Sequence, residues 1–425
     1  MNLHYDIRTL DNGLQLITAP LHDTKAVTVL ILVGTGSRYE DQRTNGVAHF
    51  LEHMFFKGTT KRPSTLEISK ELDALGADYN AFTGEEYTGF YVRVAGEDFN
   101  QAFDIITDML LNPLFQVEEI EREKGVILEE LNMYEDTPMR IIHDHAKQLI
   151  YGDTPLGRNI GGTKETVMKF DRQDFLDFRA KFYQPDNLVV AIAGMGEATD
   201  WKNQVETKLG HLKGDADKTF VEAKDQGKGP HFRLVTKKTD QAHVALAFRG
   251  FPRGDKRRPI LSLLVNILGG TMSSRLFIEV RERRGLAYYV RSGTWYFRDA
   301  GVLTASAGVQ VAKIDEAIQV ILNEFRRLTT TPVSAEELDR DKKNLRGSLY
   351  LGLEDSMSVA DYLAEQALLE DSIEQPEEVV KEREQVTISQ IQNLAKELID
   401  SDGLYLTILG PYDDPKRFEK LLTQS

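Results

Sequence analysis

Two histidines four residues apart, with a glutamate directly before the second, stand in His49-Phe50-Leu51-Glu52-His53. On a helix, positions i, i+3 and i+4 share a face, so the three side chains would project together. Two neutral imidazoles so placed suit one zinc ion, and a glutamate held beside the metal can take a proton from water activated there. The pattern is the inverted form of the zinc-hydrolase helix motif, H-x-x-E-H. The competing reading is a surface helix that carries scattered polar residues.

Two histidines leave a tetrahedral zinc site short of one protein ligand, and catalysis needs the fourth position open. A candidate lies in the stretch from Glu118 to Tyr134. Read as a helix, it puts Ile120, Glu123, Val126, Ile127, Glu130, Leu131 and Tyr134 on one face, and Glu118, Arg122, Glu129 and Asn132 on another. Glu129 then reads as an ordinary solvated carboxylate. Acidic residues seldom sit on an apolar face without a partner, and a bound dication would explain both Glu123 and Glu130. Glu130 is assigned as the third ligand and Glu123 as a carboxylate that orients a ligand or the water. The alternative is that both pair with Lys or Arg from elsewhere in the chain.

With these residues in place, the chain closely resembles the pitrilysin-like metallopeptidases, in particular their compact processing-peptidase-like subgroup. The resemblance rests on the histidine motif, on Glu123 and Glu130 at their distance from it, and on two flanks. These are Gly46-Val47-Ala48 before the motif and Phe55-Phe56-Lys57-Gly58-Thr59 after it. It implies that His49, His53 and Glu130 hold one Zn2+ per subunit, that Glu52 is the catalytic base, and that Glu123 supports the site.

The first half opens with a hairpin, Tyr5–Leu10 and Leu14–Ala19, around Asp11-Asn12-Gly13. A strongly apolar strand, Ala26–Val33, precedes the histidine helix. A helix over Thr65–Leu75 starts from a Ser64 cap, and strands follow at Asp78–Thr83 and Tyr87–Val94. Several helices and a late strand, Leu188–Ala193, complete this half. The second half repeats the order: strand His243–Phe248, helices Arg258–Leu268 and Ser274–Arg283, strands Tyr288–Tyr296 and Val302–Ala307, a helical run over Lys313–Leu398, and strand Leu404–Leu409. Matching orders predict an α+β fold built from two copies of one unit. The expected boundaries are a zinc-binding domain over 1–213, a linker over 214–230 rich in charge, glycine and proline, and a homologous domain over 231–425. The resemblance implies two tandem homologous α/β-roll domains, each a mostly antiparallel sheet flanked by helices, with two subunits closing as a clamshell dimer.

The remaining site residues come from the resemblance. Asn80-Ala81-Phe82-Thr83 is similar to the family's edge strand, which receives substrate by β-augmentation. Read without it, the segment is an ordinary strand pair in which Asn80 caps a turn. Arg281 and Tyr288 are similar to an arginine–tyrosine pair that binds substrate carbonyls and stabilises the oxyanion, with Leu268-Gly269-Gly270-Thr271 upstream also in pattern. Without it, Arg281 is a solvated helix residue and Tyr288 a strand aromatic.

Composition bounds the setting. The chain has 425 residues, a length that suits two domains. It contains no cysteine, so disulfides, thiolate metal sites and thiol nucleophiles are excluded. A net charge of −15 argues against general nucleic-acid binding. The start Met1-Asn2-Leu3-His4 lacks a basic, apolar leader and no apolar stretch could span a bilayer, so a cytoplasmic protein with no membrane partner is expected. His143 and His145 flank Asp144 and point opposite ways on a helix, so they cannot chelate together. The expectation is a zinc-dependent endopeptidase, a homodimer that hydrolyses extended peptides or unstructured segments inside a closed chamber. The alternative is a non-catalytic, peptide-binding or structural subunit of a processing-peptidase-like complex.

Overall fold

In the computed structural model the described residues are 2–224, 230–370, 372–399 and 403–423. They form two units, each built on one twisted sheet. The first sheet contains β1 (Asp6–Thr9), β2 (Gln15–Pro20), β3 (Ala26–Val33), β4 (Asp78–Thr83), β5 (Thr88–Ala95) and β6 (Leu188–Gly194), in the spatial order β1-β2-β6-β3-β5-β4. The second contains β7 (His231–Thr236), β8 (Gln241–Arg249), β9 (Ala287–Tyr296), β10 (Gly301–Gln310) and β11 (Leu404–Gly410), in the order β7-β11-β8-β10-β9.

The repeat extends to pairing. In each sheet one parallel pair joins an early strand to the last one, β2 with β6 and β7 with β11, and the other pairs are antiparallel. Strand β1 is the addition that makes the first sheet six-stranded. Its turn forms as the residues dictate: Gly13 has φ of 88°, and the Asn12 side chain accepts from the Leu14 N–H. Strand β7 was absent from the sequence reading. It is a terminal strand whose residues are mostly half-buried, so its pattern lacks a clean apolar face.

Two segments depart from the contiguous domain boundaries. Residues 133–157 group with the second unit and 350–376 with the first. The reason lies in the strands. All but the first residue of β3 and every residue of β6 are buried, so both faces of the sheet need cover. One face carries the main core. On the other, the helix Ser356–Leu369 packs on β3, β6 and β2, and Ser356 shares a 2.8 Å hydroxyl hydrogen bond with Thr28. In the second unit the helix Pro138–Tyr151 covers β11, β8 and β7 in the same way, burying Ile141, Ile142 and Ala146 against Ala245 and Leu409. Each half of the chain thus supplies the covering helix of the other half's sheet. The expected linker also differs: residues 210–221 belong to the first unit, where Lys218 bonds to Asp186, while 225–229 lie outside the described residues.

The two helices expected over Arg258–Leu268 and Ser274–Arg283 are irregular. A regular helix ends at Val265, and wider π-type turns run over Asn266–Gly270 and Phe277–Glu282. At Gly269 the chain passes so close to β9 that a Cβ would lie 2.6 Å from the Ser292 nitrogen. Only glycine fits there, and it favours loss of the helix.

Candidate metal centre

The histidine motif lies on a two-turn helix, α1 (Val47–Met54). Val47, Phe50, Leu51 and Met54, spaced i, i+3, i+4 and i+7, are fully buried, with Phe50 in edge contact with Phe170 and Phe175. Burying a side chain of this size contributes roughly 1.5–3 kcal/mol, so the apolar stripe fastens α1 to the core. His49, Glu52 and His53 are left on the opposite face.

Glu130 reaches that face from a second helix, α2 (Val117–Glu135). One of its carboxylate oxygens lies 3.6 Å from His49 Nε2 and 3.4 Å from His53 Nε2. Among the described residues His49, His53 and Glu130 form the one group of three donors converging within 4.8 Å. Ligands held tetrahedrally at zinc bond lengths of about 2.0–2.1 Å lie roughly 3.3–3.4 Å from one another. The donor set and its spacing therefore fit zinc.

Glu123 sits about two turns back on α2, only 3% exposed. Its Oε1 accepts from His53 Nδ1 at 2.9 Å, and its Oε2 pairs with Lys57 Nζ at 2.6 Å. Holding the proton on Nδ1 leaves the Nε2 lone pair of His53 directed at the metal position. Pairing of Glu123 with a lysine, the competing sequence reading, is thus also realised, alongside its bond to the histidine. The helical face is narrower than expected: Ile120, Glu123, Ile127 and Leu131 are buried, but Val126 is 48% exposed and Lys124 is buried instead. Glu129 is exposed.

Glu52 is 9% exposed, and its Oε2 accepts a 2.5 Å hydrogen bond from the Thr83 hydroxyl. Thr83 ends β4, which pairs with β5 on one side and is the terminal strand of its sheet. Asn80, Ala81 and Phe82 precede it, with Asn80 exposed and turned back to accept from the Ala81 N–H. Asn80 caps no turn. On the neighbouring strand the Phe82 ring lies over Gly89. Arg281 and Tyr288 belong to the second unit. They are neighbours, with the guanidinium 5.7 Å from the Tyr288 ring centre, and Tyr288 is 76% exposed.

The sequence reading missed Lys57 and a carboxylate at the start of α1. Glu40, 4% exposed, accepts from the Gly46 and Ala48 N–H groups at 2.8 Å each and from Asn45 Nδ2 at 3.1 Å. Burial pushes its pKa up, to about 8, against those hydrogen bonds. One signal was available: Gly46 opens the helix, and no Ser, Thr, Asp or Asn stands at the cap.

Burial disfavours a charged His53, yet its bonds to Glu123 and Glu130 and the nearby Glu52 prevail and raise its pKa to about 9. Metal binding needs the neutral ring, so at pH 7 uptake should expel about one proton, from Nε2. Apparent zinc affinity should rise about tenfold per pH unit from 7 until it levels near pH 9. Calorimetric titration of zinc into metal-free protein, in buffers of differing ionisation heat, reads the proton count directly. Uptake with no proton release at pH 7 contradicts the assignment.

Residues 16–164 match the model of Insulinase (Peptidase family M16), and residues 169–345 match that of the Peptidase M16 inactive domain. The chain is 35% identical to the uncharacterized zinc protease YmxG of Bacillus subtilis, over 95% of this chain and 97% of that one. It is 36% identical to an uncharacterized zinc protease of Streptomyces coelicolor, over 96% of this chain and 89% of that one. The crystal structure of a protease from Helicobacter pylori shares the fold, with a TM-score of 0.89 at 22% identity, covering 97% of this chain and all of that one.

Proposed function

The chain belongs to the M16 family of insulinase-like peptidases, and from that premise we propose that it is a zinc-dependent endopeptidase acting on extended peptides or unstructured protein segments. The observation that carries the reading is the meeting of three metal donors with a carboxylate base that is itself tied to a sheet edge. Zinc bound by His49, His53 and Glu130 would polarise the scissile carbonyl and acidify a water.

The chain's own residues do the rest. Glu52 takes the water proton on its Oε1, since Oε2 is engaged by Thr83, and later delivers it to the leaving amine. Because Thr83 also terminates β4, a peptide added to that edge is held in register with the base. Glu123 keeps His53 in one tautomer. Arg281 and Tyr288 supply a cation and a phenolic donor to the oxyanion. In the second unit the helix after β8, Arg258–Val265, carries no histidine, in keeping with a copy that has no metal chemistry of its own. With base, ligands and the Arg–Tyr pair all on one chain, the reading favours a cytoplasmic homodimer with one zinc per chain, closing around a peptide chamber.

Edge pairing inside a chamber should admit unfolded chains and exclude compact domains. Cleavage of a destabilised, unfolded variant of a small protein should exceed cleavage of its stable native form at least about a thousandfold, a native unfolded fraction of 10⁻³ or less setting the floor. Equal rates on the two forms would remove the chamber from the proposal. A protein that binds zinc stoichiometrically but cleaves neither form would instead be the non-catalytic subunit.

A further inference from the structure

We infer that Glu40 is a positioning residue for the metal helix, setting the placement of His49, Glu52 and His53 through the first backbone N–H groups of α1. The inference rests on the metallopeptidase reading. Helix α1 has only eight residues, begins at a glycine with φ of 98°, and has no side-chain cap of its own. So short a helix has little intrinsic stability. Its apolar stripe fixes which face is buried, but apolar packing is non-directional and leaves sliding and tilt less tightly defined. Hydrogen bonds are directional, and the two Glu40 oxygens each take one N–H, from Gly46 and from Ala48, the residue next to His49.

Glu40 is itself held from two sides. Asn45 donates to it and also to the Asn159 carbonyl, and Gly162 packs against the start of α1 so closely that a Cβ would meet the Asn45 oxygen at 2.5 Å. On the other side, the turn Ser37–Tyr39 directly before Glu40 is bonded to the β4–β5 hairpin. Ser37 and Arg38 donate from their backbone to Gly84 and Glu85, and the buried Arg38 guanidinium pairs with Glu86 at 2.7 Å. That hairpin carries Thr83, the partner of Glu52. One segment therefore references both the metal helix and the strand that orients the base. Glutamate suits the position because both of its oxygens accept there. An amide would turn its NH2 toward a backbone N–H.

The test is Glu40→Gln, read by cobalt(II) binding as well as turnover. The variant should fold, since the apolar stripe is intact. Cobalt affinity should fall about tenfold to a hundredfold, with the visible absorption of the bound ion weakened or shifted. Per metal-loaded molecule, kcat should fall by a similar factor while KM changes less than twofold. A folded Glu40→Gln protein with cobalt affinity, spectrum and kcat all within twofold of wild type overturns the inference. If wild type binds cobalt but hydrolyses no peptide, the peptidase reading fails, and affinity and spectrum alone decide the role of Glu40. Should Glu40→Gln not fold, Asn45→Ala, which loosens Glu40 without removing it, should weaken cobalt binding by about threefold to tenfold. Unchanged binding in that variant also overturns the inference.

Discussion

Replacing Glu52 by glutamine should lower peptide hydrolysis by about 10²–10⁴-fold while zinc stays bound. Glu52 lies on the metal-facing side of α1 but is not one of the three converging donors, and its Oε2 is occupied by the Thr83 hydroxyl. An amide keeps that hydrogen bond and loses the ability to accept a proton. Glu130→Gln should fail the opposite way. The oxygen it alters lies 3.4–3.6 Å from both imidazole nitrogens, and a neutral amide is a poor zinc ligand, so most of the metal should be lost together with activity. Glu129→Gln, at the exposed neighbouring position, should leave both unchanged. Metal content measured beside turnover on the three variants separates base from ligand. Zinc lost from Glu52→Gln and retained in Glu130→Gln would exchange the two roles, and loss in Glu129→Gln would show that α2 had been assigned the wrong face.

Mixing two inactive variants should restore activity. In the proposed homodimer, Arg281 and Tyr288 of one chain serve the metal of the other. Glu52→Gln and Tyr288→Phe proteins should then each be nearly inactive alone. After subunit exchange at equal amounts, about half the dimers are hybrids with one intact site of two, so activity should return to about a quarter of wild type. A site completed within one chain gives no recovery, because every site then carries one of the two lesions. Exchange is verified separately, by mass spectrometry of isotopically labelled subunits. Verified exchange with an inactive mixture rules the shared site out.

The sequence by itself was enough to group the candidate metal donors. His49, Glu52 and His53 lie within one helical turn, and helix geometry alone brings them to one face. Glu130 was legible because a carboxylate on an otherwise apolar stripe demands a partner, although the stripe is narrower than drawn and turns Val126 to solvent. The duplication was legible as well, since alternating patterns and turn residues are local signals repeated at corresponding places.

Tertiary structure decided what depends on contacts distant in sequence. The largely apolar runs of β3 and β6 are the pattern of a sheet covered on both faces. Nothing local stated that the cover would be Ser356–Leu369, more than 150 residues later in the chain. An amphipathic helix fits any apolar sheet face of suitable size, so its pattern carries no address. The same holds for Glu40 and Lys57. A buried carboxylate that caps a helix from outside its first turn, or a lysine that closes a His53–Glu123 pair, has no fixed spacing to read. Hydrogen bonds between neighbours in sequence leave a signature in residue type and interval. Those formed across the fold leave only an unmet need, such as the missing cap at Gly46, and the fold decides which residue meets it.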